Sequence, residues 1–223
     1  MGWGSKVPFW LFEANRERIG KDYLCELIQT VHEGRASSHP AFESDEELRK
    51  KITSALRSGA RRMHFGNVRG HVNSKALEQA ITAKYWEDRI LGVNENRIFP
   101  NEIEFSMSAN VGASWPADLD LRMVKIKLFL PGENPNARQF RHADLHKWAK
   151  ERRGGILSGL AALVDIWDQA GRPNGPTPFA SFPEWGKVVG GIMTVNQLGD
   201  PCIPVDREDE DGGDEMTQDM KTL

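Results

Sequence analysis

Apolar and polar positions change period several times along this chain, and each change marks an element. Val7 to Phe12 is an almost unbroken apolar run, which predicts a buried strand. From Gly20 to His32 the period lengthens: Leu24, Leu27, Ile28 and Val31 fall on one face, predicting a helix. Gly34 to Glu43 reads as a loop. Ser44 then caps a helix from Asp45 to about Ser58, with Glu47 completing a capping box and Gly59 ending it. Met63 to Phe65 predicts a short strand, and Asn73 or Ser74 caps a helix reaching about Ala83. Glu87 to Leu91 and Arg97 to Phe99 predict short strands around a Gly-Val-Asn-Glu-Asn turn. Glu102 to Ala109 alternates and then turns apolar, and Pro116 to Leu121 suits a short helix. Met123 to Leu130 alternates cleanly, with Val124, Ile126 and Leu128 on one side. After a loop from Pro131 to Arg138 the pattern is helical: His142 to Arg152, Gly155 to Ala170, and Phe182 to Asn196. In the second of these, Leu157, Leu160, Ala161, Val164 and Trp167 are expected to form the buried face. No internal repeat is present, and the order predicts an α/β core followed by a helical end.

Composition narrows this picture only a little. A chain of 223 residues suits one medium domain with an appendage. No apolar run is long enough to span a bilayer, and Met1 to Lys6 lack the pattern of a signal peptide. Cys25 and Cys202 stand far apart without spaced partners, so neither a zinc site nor a disulfide framework is expected, and a cytoplasmic location is. The net charge of −3 hides an asymmetry: Asp206 to Leu223 carries −6 and is expected to be disordered, leaving the rest at +3. A mildly basic body is compatible with nucleic acid without requiring it. Arg49, Lys50 and Lys51, with Arg61 and Arg62, read either as a phosphate-backbone patch or as a solvated helix face.

The chemistry concentrates between the first strand and the first helix. Strand, loop, Gly20-Lys21 and helix is the order of a phosphate-binding loop, where backbone N–H groups, a lysine and the helix N-terminus meet phosphate. Asn15, Arg16, Glu17, Arg18, Ile19, Gly20, Lys21, Asp22 and Tyr23 are therefore the candidate nucleotide-binding residues. Against the pattern G-x-x-x-x-G-K-[ST], Ala14 replaces the first glycine and Asp22 the hydroxyl residue. Asp22 is the candidate magnesium ligand, because a carboxylate can also hold that ion, although it repels phosphate. Lys21 reads equally as a solvated lysine at a helix start. His142 and His146 stand four apart but lack a third ligand, so packing outweighs metal binding. Trp148, Trp167 and Trp185 read as core anchors.

Four stretches together resemble a known family: Gly20-Lys21-Asp22-Tyr23-Leu24, Met63-His64-Phe65-Gly66-Asn67-Val68, Phe105-Ser106-Met107-Ser108-Ala109-Asn110, and Asp118-Leu119-Asp120-Leu121-Arg122. Arg141 to Trp148 and Ser181 to Trp185 add to the likeness. The chain resembles the C-terminal ATPase portion of plasmid- and phage-type DNA primase/helicase proteins, an AAA+ branch of the P-loop NTPases. That resemblance implies an AAA+-like three-layer α/β core over residues 1–132, a helical lid over 133–203 and an acidic tail over 204–223. It also implies ATP and Mg2+ as cofactors, single-stranded or duplex DNA as partner, and a homo-oligomer when active; that no membrane is involved is expected from the apolar runs alone. Asn110 takes the sensor position, where a neutral side chain holds the γ-phosphate and attacking water, or it simply begins a turn. Arg122 takes the place of an arginine finger acting on a neighbouring subunit, or it pairs with Asp118 or Asp120. Met63 to Val68 takes the Walker B place, yet offers Gly66 and Asn67 where acids belong. Asn67 can orient water but cannot act as a base; Glu13, Asp22 and Asp88 are the acids open as substitutes. The expected function is an ATP-binding helicase module with impaired hydrolysis. The alternative is a degenerate interaction module, or a gene fragment, serving mobile-element DNA replication.

Overall fold

The first strand, β1 (Phe9–Ala14), lies between two others because both of its faces are apolar enough to be covered. In the computed structural model, which describes residues 6–42, 44–89, 95–130 and 140–203, five strands form one parallel sheet. Besides β1 these are β2 (His39–Pro40), β3 (Arg62–Val68), β6 (Glu104–Ala109) and β7 (Met123–Leu128), in the order β2-β3-β6-β1-β7. All pairings are parallel, with Trp10 opposite Ser106 on one side and Val124 on the other. A separate antiparallel pair is formed by β4 (Tyr85–Arg89) and β5 (Asn96–Pro100).

Between the strands lie α1 (Lys21–Glu33), α2 (Asp45–Arg57), α3 (Lys75–Thr82) and the short α4 (Ala117–Asp120). Alternation along the strands splits the sheet into two faces. Phe9, Leu11, Met63, Phe65, Phe105 and Met107 pack with Leu48 and Ile52 of α2 and Leu77 and Ile81 of α3. Trp10, Phe12, Ser106 and Ile126 face the other way, under Cys25, Ile28 and Gln29 of α1, around a cavity of about 220 Å³. The result is helix, sheet, helix in three layers.

The helical end follows as α5 (Leu145–Glu151), α6 (Arg153–Gln169) and α7 (Pro183–Val195). α5 and α6 contact α1. Trp185 of α7 packs edge-on against Trp10, with ring centroids 5.7 Å apart, and Ser181 Oγ donates to the Leu121 carbonyl at 2.9 Å.

Several expectations need correction. β2 was expected as loop; two residues are too few to show a period, and only the pairing of His39 with Phe65 reveals it. α5 starts at Leu145 with Asp144 as its cap, so His142 lies outside the helix. The expected face of α6 is not buried: Leu160 and Val164 are more than 40% exposed, and the helix has no fully buried residue. Only Leu157 and Trp167 of that set are half-covered, on the side turned toward the rest of the chain. Trp185 is buried as expected, but Trp148 and Trp167 are only half-covered, and the largest fully buried side chain is Trp86. The Gly-Val-Asn-Glu-Asn turn up to Asn94, the loop from Pro131 to Arg138, Glu43 and the acidic tail lie outside the described residues.

Candidate functional site

The loop after β1 turns into α1 through two left-handed residues, Arg18 at φ 60° and Gly20 at φ 102°. Gly20 occupies a region where a side chain would be strained, and its carbonyl accepts the first helical bond, from Leu24 N–H at 2.9 Å. Lys21, the first residue of α1, therefore begins the helix at the carboxyl ends of the strands. Its side chain does not run out to solvent: the residue is 7% exposed. The ammonium donates to Asn110 Oδ1 at 2.7 Å, and Asn110 Nδ2 donates to Asn67 Oδ1 at 2.6 Å. Lys21 at the start of α1, Asn110 just after β6 and Asn67 near the end of β3 are thus linked in one chain of hydrogen bonds.

This place has a topological reason. The chain leaves β1 toward the β3 edge and leaves β6 toward β7 at the opposite edge, so a crevice opens between the ends of two adjacent strands. Lys21 and Asn110 meet there. β3 is irregular at the same point: its register against β6 shifts between Phe65 and Val68, and Asn67 takes φ 59°. The Asn67 N–H then donates to Ser108 Oγ at 2.9 Å.

Beside the lysine stands a second polar group. Ser108 is fully buried and its hydroxyl donates to Asp22 Oδ1. His64, 1% exposed, places Nε2 at 3.7 Å from the same oxygen, while its Nδ1 pairs with Ser106 Oγ at 2.9 Å. The facing His64 imidazole holds the Asp22 carboxyl down to about 2 against partial desolvation, with Ser108 and the Lys21 charge assisting. Asp22 is thus ionised throughout the physiological range. A Cβ added to Gly66 would stand 3.5 Å from Asp22 Oδ1, so this carboxylate borders the space of the side chain that position 66 lacks. Of the acids open as substitutes, Asp22 stands at the site, whereas Asp88 is held on β4 by Thr53 and Arg49.

The other candidates divide. Asn15 braces the sheet: its amide donates to the Leu130 carbonyl at 3.3 Å and accepts from Leu130 N–H at 3.1 Å. Ile19 is buried, Arg16, Glu17 and Arg18 are exposed, and Glu17 lies 3.9 Å from Arg69. Tyr23 packs its ring against His146 at 4.2 Å. His142 instead stacks on Trp148, so the two histidines serve packing. Arg122 pairs with Asp118 at 2.8 Å, and its carbonyl accepts from Phe9 N–H at the start of β1. It therefore stands at the opposite end of the sheet from Lys21, about 20 Å away along a six-residue strand. The basic cluster is neutralised: Arg49, Lys50, Lys51, Arg61 and Arg62 all pair with carboxylates. Sequence reasoning missed Ser108 and His64. Their only signal was placement on strand faces beside the Asp22 position, which needs the strand order to be read.

No protein-family model matches this chain, and no curated protein matches it. Among solved structures, the apo A form of the NrS-1 C-terminal region is similar at 16% identity and a TM-score of 0.47, over 66% of this chain and 35% of that one. The JCV helicase structure is similar at 18% identity and a TM-score of 0.37, over 90% of this chain and 52% of that one. The chain thus spans about a third and about half of their lengths. At these values neither neighbour decides function, which must come from the residues. No helix among the described residues is long and apolar enough to cross a membrane.

Proposed function

We propose that the carboxyl ends of β1, β3 and β6 bind the phosphates of ATP with Mg2+, in a module of replication-helicase type. One observation carries this reading. The Lys21 ammonium is buried, and among the described residues its hydrogen-bond partner is a neutral amide. A buried charge without a bonded counter-charge is costly, and an anion arriving beside it recovers that cost. The αL glycine before the helix and the N–H groups of the first turn supply the further donors such an anion needs. Lys21 takes the phosphate, Asn110 the γ-phosphate and attacking water, and Asp22 the cation. Asn67 orients water from the β3 end. With no acid at positions 66 and 67, turnover is slow and binding is the primary activity.

Thermal unfolding with and without Mg-ATP tests this. Ligand at about a hundred times its dissociation constant adds about 2.7 kcal/mol, visible as a rise in melting temperature that Lys21→Ala abolishes. No rise in the wild type overturns the reading. The second reading, an interaction module that has lost its chemistry while still serving mobile-element DNA replication, is favoured by Gly66 and Asn67 and gains if that result is found. DNA as partner and assembly into a ring, with Arg122 reaching a neighbour's nucleotide, belong to the first reading.

A further inference from the structure

In P-loop NTPases the cation is held from two sides, by a hydroxyl in the first turn of the helix and by an acid at the end of a neighbouring strand. Here both positions depart from that pattern: the helix carries Asp22 and the strand carries Gly66. Taken singly, each departure weakens cation binding. In space they adjoin, because the Asp22 carboxylate lies against the place where a side chain at 66 would begin. We propose that the cation-binding carboxylate of this site has been transferred from the end of β3 to the start of α1. Asp22 does the work of the missing strand acid, and Gly66 leaves it room. The inference rests on the nucleotide reading above and specifies how its metal is held.

Two observations support it. The carboxylate is built in: Ser108 Oγ, buried on β6, donates to Asp22 Oδ1 and is itself fixed by the Asn67 N–H at 2.9 Å. This leaves Oδ2 without a hydrogen bond among the described residues, an oxygen open to a hard cation. On the same side, the buried His64 Nε2 faces this carboxylate from 3.7 Å, beyond hydrogen-bond reach, and has no hydrogen-bond partner within reach among the described residues. A buried unpaired nitrogen is a cost that a cation-bound water beside Asp22 removes. Mg2+ keeps several waters and takes phosphate oxygens, so one or two carboxylates from the protein are enough to hold it. A second acid at 66 would face Asp22 at close range, so glycine there follows from charge as well as space.

The test titrates Mn2+ and a non-hydrolysable ATP analogue against the full chain. Wild type is expected to bind the analogue in EDTA and to bind it about 5- to 150-fold more tightly with Mn2+. Asp22→Asn should move the two affinities in opposite directions: tighter in EDTA, because a charge facing phosphate is gone, and with the Mn2+ enhancement reduced to near one. Asp22→Thr should lose the enhancement too, and Asp22→Thr/Gly66→Asp should regain it, as the acid returns to the strand. Unchanged enhancement in Asp22→Asn, or a double variant no better than Asp22→Thr, overturns the transfer while leaving the nucleotide site standing. Absence of analogue binding in the wild type, with and without Mn2+, overturns the nucleotide reading and the transfer with it.

Discussion

Lys21 holds its charge where the fold alone gives it little return. Its neighbour Asn110 offers a dipole, and Asp22 next along the chain is turned toward Ser108 and His64. Replacing Lys21 with methionine keeps the stem and removes the charge. The expected outcome is a ligand-free protein more stable by about 1 kcal/mol in urea unfolding, with Mg-ATP stabilisation lost. Asp22 gives a pH prediction. Its folded carboxyl sits at about 2 against an ordinary 3.8, a depressed value, so its contribution is present above pH about 4 and lost as pH falls toward 2. In metal-free buffer the urea midpoint of the wild type should therefore drop relative to Asp22→Asn across that window and run parallel to it above. Lys21, Gly20 and Asn110 could be picked out of the sequence because their spacing is local or their strand is strongly apolar. Ser108 and His64 were not legible, since a serine and a histidine alternating on strands show no purpose until β3 and β6 are known to lie side by side.

At the scale of elements, β1 and α1 were readable because their periods differ sharply across a short loop. The strand order was not, since nothing along the chain says that β6 inserts between β1 and β3. The α6 face was misread because its apolar residues satisfy a helical period without being covered by the other described residues. A hydrogen-bonded junction ties α2 to the β4–β5 pair. The indole of buried Trp86 donates to Thr53 Oγ1 at 2.9 Å, and Thr53 donates onward to Asp88 Oδ2 at 2.7 Å. Arg49 of α2 reaches the same carboxylate at 3.1 Å and lies over the Trp86 ring. Thr53→Val keeps the shape, strands the buried Trp86 N–H and takes one donor from Asp88, which keeps Arg49. It should cost about 2 kcal/mol in equilibrium unfolding while leaving ATP affinity intact. A loss under 0.5 kcal/mol would mean that the junction is held by packing alone.

Across the whole molecule, the sheet separates the two charges that the functional reading needs. Lys21 lies at the carboxyl ends of the strands, while Arg122 lies at the opposite end, paired with Asp118. One subunit cannot bring both to one nucleotide, so in the nucleotide reading the arginine has a role only across an interface. Sedimentation is expected to show ATP-dependent assembly that Arg122→Glu abolishes, and a monomer at all nucleotide concentrations would remove Arg122 from the site. Beneath this stands the claim that the buried Lys21 ammonium awaits a polyphosphate. Equilibrium titration of ATP in EDTA, comparing wild type with Lys21→Ala, addresses it without metal, turnover or assembly. The account predicts saturable binding that weakens by tenfold or more, about 1.4 kcal/mol, when the lysine is removed. Equal affinity in the two proteins, or none in the wild type, would contradict it.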